Sequence, residues 1–383
     1  LPDRLRGLAV LLMLACLAAC ELPARLPLRG EAPGREELWV VARDATTARR
    51  ITTLAAPAIL GRPAGSPDPP ALLDLTRSDV GVTVVGPLVS VTGNYRYAVP
   101  KGSADLFVAF TPPPTPARQD LALRLGRRLV RVIVREPEEA ARAQERARRD
   151  GQTTTLLTTD AAGRVLVPLG AAGSGTVELA VETVRIAGWH DGVYEVTVPR
   201  VPEGDATLAV DLHGAGPVVV VNSPSHTIDA QTIALDHLRI TLQEPATLHD
   251  EDFVLRYRVD PTESPGVLVA QPDAGGTLVA LLVHPQEDDL EPVALANVTI
   301  DWGAAEVSEV RPPAIGTIAR GTPLVVLARV RGGYVGPATV TARASGRPRT
   351  FSLGATASPP ADGLHALRVL WARAAPPETV ASR

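Results

Sequence analysis

The chain has 383 residues, with 36 prolines, 32 glycines, two cysteines, four Trp, five Tyr, four Phe and a formal net charge of −4. A mildly acidic balance with so few rings for base stacking excludes a basic nucleic-acid binder. Two cysteines exclude a disulfide framework, 45% hydrophobic residues exclude global disorder, and a single long apolar run excludes a polytopic membrane protein. The length allows two or three domains.

The amino end reads LPDRLRGLAVLLMLACLAAC. Arg4 and Arg6 form a short basic region, and Leu8 to Leu17 form an apolar stretch too short to span a bilayer but suited to a signal peptide. Leu17-Ala18-Ala19-Cys20 resembles the bacterial lipobox, in which the cysteine thiol receives diacylglycerol before cleavage. The expectation is a lipoprotein signal over 1–19 and lipidation at Cys20. Cys16, with Met13 three residues before it, is the weaker acceptor. Cleavage would leave Cys20 as the one cysteine, acylated, so the mature chain would hold itself together by burial without a disulfide. Multiple acyl chains give stable anchoring. Glu21 stands where an aspartate would signal retention in the inner membrane, so the outer membrane is favoured, within a bacterial cell envelope.

Residues 20–78 are rich in Pro, Gly and Arg. GRPAGSPDPP (61–70) has the composition of a loop, and the segment reads as a tether carrying one short strand, Leu38-Trp39-Val40-Val41-Ala42. From about Asp79 the pattern turns to β: VGVTVVGPLVSV (80–91), YRYAV (95–99), DLFVAF (105–110) and RLVRVIV (128–134). A helix then interrupts, expected over about 138–150. Glu138 and Glu139 sit near its positive end, arginines crowd its last turns, and Gly151 is its stop. Ala140, Ala143, Gln144 and Ala147 share one face, which suits close packing on a sheet. Strand-like segments resume at 176–186, 194–198, 206–212, 217–221, 237–242, 253–259, 277–283, 293–300, 323–330 and 338–344. The fold class is therefore mainly β, as antiparallel β-sandwich domains with one prominent helix. The last residues, 356–383, read as a loose tail in which LHALRVLWARA (364–374) is a candidate short helix.

Ile133, Glu136, Ala140, Gln144, Ala147 and Gly151, followed by Leu156-Leu157, keep the spacing of a helix motif found in the VIT (vault protein inter-alpha-trypsin) domain, although the usual tyrosine is Gln144. Tyr95-Arg96-Tyr97-Ala98-Val99-Pro100 is similar to that family's step before the helix. Ser223-Pro224-Ser225-His226 and Asp252-Phe253-Val254-Leu255-Arg256-Tyr257 resemble segments that close the region in bacterial members. Residues 79–285 thus resemble a VIT region, with Tyr95, Pro100, Glu136, Ala140, Ala147, Gly151, Ser223, Pro224, Ser225, His226, Phe253 and Arg256 in structural motif positions. In such proteins a von Willebrand A domain commonly follows, beginning its metal site with Asp-x-Ser-x-Ser. No Asp-x-Ser-x-Ser occurs in this chain. The resemblance implies a VIT-like domain over 79–205, and a second sandwich over 206–355 built from segments that flank a missing A domain. Strands before Pro285 would then pair with strands after Pro292, a short loop closing the gap cheaply.

No catalytic constellation stands out. Ser225-His226 with Asp236-His237 has the residue types of a hydrolase triad, but no G-x-S-x-G elbow surrounds a serine. His249-Asp250-Glu251-Asp252 and Glu287-Asp288-Asp289 with Glu291 lack the alternating spacing and glycine of a calcium loop and read as polar turns. Neither H-E-x-x-H nor C-x-x-C is present, so no metal and no cofactor is expected. Trp39, Trp189, Trp302 and Trp371 are scattered. The sequence therefore suggests a non-enzymatic envelope lipoprotein, held to the membrane by its acyl chains, contacting another envelope protein and not nucleic acid. The rivals are an adhesion or carbohydrate-binding sandwich, and a degenerate relative that lost metal-dependent ligand binding.

Overall fold

The computed structural model describes residues 36–42, 57–101, 104–111, 120–125, 128–135, 137–160, 164–190, 192–214, 216–260, 265–273, 276–284, 287–288, 291–334, 336–356, 367 and 370–371. The lipobox, with Leu17, Ala18, Ala19 and Cys20, lies outside them, as does Glu136. No described helix is long and apolar enough to cross a membrane.

Alternation of apolar and polar residues builds the largest sheet. In Leu75–Val85, Val80, Val82 and Val84 are buried while Asp79, Gly81 and Thr83 are half-buried, the period of two that puts successive side chains on opposite faces. This strand lies in a ten-stranded sheet. Its order is Ile228–Ala234, His237–Leu242, Asp205–His213, Leu75–Val85, Leu88–Val99, Gly175–Ile186, Asp120–Leu125, Arg128–Arg135, Glu36–Ala42 and Thr153–Thr158. Two four-stranded sheets share its core. One holds Val165–Ala172, Ala104–Phe110, Ala58–Pro63 and Ala71–Leu72; the other holds Gly188–His190, Val193–Val198, Phe253–Val259 and Val218–Asn222. Val82, Tyr97 and Leu179 from the large sheet, Ile59 and Val108 from one small sheet, and Val196, Phe253 and Tyr257 from the other form one apolar cluster.

A second body follows. Val307–Arg311, Leu324–Val330, Gly276–Val283, Gly266–Asp273 and Ala355–Thr356 form one sheet, and Leu295–Asp301, Ala338–Ala344 and Arg347–Leu353 another. Leu268, Val279, Leu281, Val283 and Val326 of the first sheet face Leu295, Val340 and Leu353 of the second across this core. On the other side of the same strands, Leu278, Ala280 and Leu282 pack with Val85, Leu88 and Val184 of the first body. The run LVALLV (278–283) is unbroken by polar residues because both of its faces are covered. Gly276–Val283 pairs antiparallel with Leu324–Val330, so strands on either side of residues 285–292 meet in one sheet.

Among the described residues the fold is mainly β with one long helix, as its composition and spacing imply, but several placements differ from the reading above. The helix spans Pro137–Arg149, one residue earlier at each end, which is ordinary fraying at helix boundaries. Gly151, at φ 74°, closes it: its N–H reaches the Arg148 carbonyl and the Gln152 N–H reaches that of Ala147. This is the reverse turn that a residue in the left-handed region permits. Ala140 and Ala147 are buried where the helix crosses the sheet, and Ala143 and Gln144 are half-buried.

Residues 20–78 are more than a tether. Glu36–Ala42 is parallel to both Arg128–Arg135 and Thr153–Thr158 and lies between them, with Trp39, Val40 and Val41 buried; Ala58–Pro63 adds Ile59 to the core. The strands are not all antiparallel either, since Asp205–His213 also runs parallel to Leu75–Val85. Residues 206–259, grouped above with the later strands, lie in the sheets of the first body, because their apolar faces meet its core. Of the tail, the described residues Leu367, Leu370 and Trp371 are buried, with the Arg311 guanidinium 3.9 Å from the Trp371 ring centroid.

Candidate functional site

The densest set of chemically competent side chains sits near one edge of the ten-stranded sheet. Asp211 and His213 are two apart in Asp205–His213 and so share a face. His237 is the direct cross-strand partner of His213 in the next strand. Between them Leu212 and Leu238 point the other way, into the core. The result is a carboxylate flanked by two imidazoles. His237 Nε2 is 2.6 Å from Asp211 Oδ1, and His213 Nε2 is 3.4 Å from Asp211 Oδ2. The rings stack at 4.1 Å between centroids, 20° from parallel.

A carboxylate only accepts, so each imidazole presents an Nε2–H to it. Hydrogen bonds from His213 and then His237 hold the Asp211 carboxyl well below the usual carboxylate range, against the opposing cost of its partial burial. All three side chains remain reachable, with 17–23% of their surface exposed. The three ligand atoms lie within 4.8 Å of one another, and this is a group among the described residues able to hold a metal ion. Sequence reasoning missed it. The Asp-x-His spacing within a strand was a usable signal for two members; the third required knowing which strand pairs with which.

Elsewhere the candidate residues take structural parts. Ser225 and His226 are neighbours in contact, with Ser225 Oγ 2.8 Å from His226 Nδ1 and accepting the Val254 N–H, while Ser223 Oγ accepts the His226 N–H. The SPSH segment, Pro224 included, is thus a turn sewn to the start of Phe253–Val259, and the His226 ring sits edge-on to Phe253. His237 pairs with Asp211, so the four residues of the imagined triad are not brought together. The 249–252 cluster is also a turn: Asp252 Oδ1 accepts the Arg200 N–H, and His249 Nδ1 lies 3.3 Å from the Val201 carbonyl. Phe253 is fully buried, Tyr95 is buried with its phenol pushed up to about 12 by that burial, Arg256 pairs with Glu195 on the surface, and Pro100 is exposed. Trp39, Trp189, Trp302 and Trp371 belong to separate places in the apolar clusters rather than to one platform.

A second histidine site joins the two bodies. His284 is 2% exposed, and its Nδ1 is 2.8 Å from the Tyr194 hydroxyl. Tyr194 stacks on Tyr257 and meets Trp189 edge-on. Burial lowers the His284 pKa to about 4, so the ring is neutral at pH 7. One residue contacts both neighbourhoods. Gly86, at φ 54°, donates its N–H to the His213 carbonyl and accepts the Tyr257 hydroxyl on its own carbonyl.

No family model and no curated protein matches the chain. Among solved structures it aligns with the Fcho1 Mu homology domain of Danio rerio with bound Eps15 peptide, at 11% identity over 79% of this chain and 91% of that chain. The TM-score of that alignment is 0.18, and it carries no argument about fold or function.

Proposed function

We propose that this chain is a non-enzymatic, lipid-anchored protein of the bacterial envelope that uses VIT-like β-sandwich surfaces for protein–protein contact. One observation carries the reading: Thr153–Thr158, directly after the helix, is the terminal strand of the ten-stranded sheet, with Leu156 exposed at 39%. A terminal strand presents unpaired backbone groups on its outer side and is a template for strand addition by a partner. The helix beside it shows a charged outer face, with Glu138–Arg142 and Glu145–Arg149 pairs one turn apart, which offers polar contacts around an apolar centre. The Leu17–Cys20 motif supports the anchor, and a strand-adding partner explains why a sheet of this size leaves such an edge uncharged.

The test compares the wild-type chain with Thr155→Pro and Leu156→Glu. Each is purified from membranes with bound partners identified by mass spectrometry, and far-UV circular dichroism checks the fold. A partner recovered with wild type and lost from both variants is the expected result; the same partners from all three, or none from wild type, would overturn the reading. Cys20→Ser should release the protein from membranes, and a variant that stays bound defeats the anchor.

A further inference from the structure

We propose that Asp211, His213 and His237 form a binding site for one divalent transition-metal ion of the zinc type. Two imidazoles and one carboxylate form the ligand set that suits zinc and its neighbours, whereas calcium and magnesium call for all-oxygen cages. For bonds of 2.0–2.2 Å in a tetrahedron, ligand atoms stand about 3.3 Å apart. His213 Nε2 and Asp211 Oδ2 already stand at 3.4 Å. His237 Nε2, at 2.6 Å from Asp211 Oδ1, must withdraw by less than an ångström to admit the ion.

The backbone prepares the site. Asp211 and His213 are fixed by the parallel ladder to Leu75–Val85, and His237 by the antiparallel rung to His213. The carbonyl of His213 is held by Gly86, and the Gly214 N–H donates to the Asp236 carbonyl one step beyond. On binding, each imidazole gives up the Nε2 proton it presented to Asp211 and coordinates through Nε2, a neutral ring carrying its one proton on Nδ1 instead. A protonated ring would release one proton, so binding weakens in acid. Three protein ligands leave the fourth position open to water. Arg239, the register partner of Asp211, faces the site from the adjoining rung, and its Nε is buried without an acceptor. It opposes the ion and makes the anionic Asp211 indispensable. The ion would tie the outer hairpin, residues 228–242, to the strand inside it. This inference is independent of the edge contact proposed above, since it uses a different strand and a different readout.

The experiment titrates Zn2+ into the full chain, purified in detergent without a polyhistidine tag, by calorimetry, with Co2+ as a spectroscopic substitute and Ca2+ as the control. One Zn2+ per chain is expected, with a visible Co2+ absorption band and no heat from Ca2+. His213→Gln, His237→Gln and Asp211→Asn should each weaken Zn2+ at least roughly ten-fold, the smaller loss seen when only a supporting partner of a metal ligand is removed. Because a variant can fail to fold, the wild-type chain is also treated with diethyl pyrocarbonate with and without Zn2+. Protection of His213 and His237 but not of His190 supports the site. Equal Zn2+ binding by wild type and the folded variants, or equal labelling with and without Zn2+, overturns it.

Discussion

His284 and the His213–His237 pair show how the same side chain takes two characters within one sheet architecture. His284 is closed in among Tyr194 and Tyr257 at the seam between the two bodies, and burial keeps it neutral. His213 and His237 lie on a half-exposed sheet face around a carboxylate that stays ionised. The first arrangement serves cohesion: its energy is packing, and a proton there is a cost. The second leaves its lone pairs and charge accessible, and its energy is small because water competes. Gly86 touches both, so the difference arises from covering rather than from distance along the chain.

The comparison is broken most easily at the seam. Tyr194→Ala removes a ring that packs on Trp189, Tyr257 and His284, and unfolding by urea should show a loss of about 3–5 kcal/mol. A loss under about 1 kcal/mol would mean that the two bodies do not depend on this junction.

Next comes acid. The folded pKa of His284 lies below its unfolded value, so the unfolded chain takes up the proton first as pH falls. The stability that neutral His284 confers is complete above pH 6.5 and is lost between 6.5 and about 4, on the order of 3 kcal/mol in all. His284→Gln should flatten this slope in denaturation measured across that range. Gly86→Ala follows. An added Cβ would stand 2.7 Å from Val267 Cγ1 at a positive φ, and a loss of about 2 kcal/mol is expected from thermal or chemical melts.

The smallest effect belongs to the edge cluster. Asp211→Asn, in the absence of metal, should cost below about 1 kcal/mol, because a partly exposed pair is screened. Its sign and window also differ. A depressed carboxyl confers stability above its unfolded value of 3.8 and loses it as pH falls below that, so the Asp211 loss begins where the His284 loss ends. A single acid transition with no separation, or an Asp211→Asn cost equal to that of Tyr194→Ala, would erase the distinction between the sites.

The local elements were legible because local rules govern them. The alternation in Leu75–Val85, the unbroken apolar run within Gly276–Val283, and the acidic start and glycine stop of the helix each identify an element. What could not be read was partnership. Nothing in residues 206–259 states which sheet they join, since Val210 and Leu212 look the same whether their apolar face meets the first core or the second. Leu38–Ala42 was seen as a strand but not as an interior one, because its neighbours are set by residues far along the chain. Trp371 looked like part of a tail because its docking depends on Arg311 and Arg329 gathering over its ring. The Asp211 cluster was invisible for the same reason: two of its members are local, and the third arrives by register. The Ser225–His226 contact was legible as adjacency, but its role as a turn came from the Val254 N–H it accepts.

The placement of Glu36–Ala42 has a kinetic consequence. This strand leaves the ribosome before either of its neighbours exists, and its slot is complete only once residue 158 has been made. Until then Trp39, Val40 and Val41 lack the neighbours that flank them in the sheet, and once both neighbours exist they leave a strand-wide slot until this strand fills it. Such long-range pairing is slow, and the interval is when an unfilled slot is open to the equivalent strand of a neighbouring chain. The first described strand to be synthesised is thus among the last rungs laid, and refolding from dilute solution should favour the monomer where refolding from concentrated solution yields exchanged dimers.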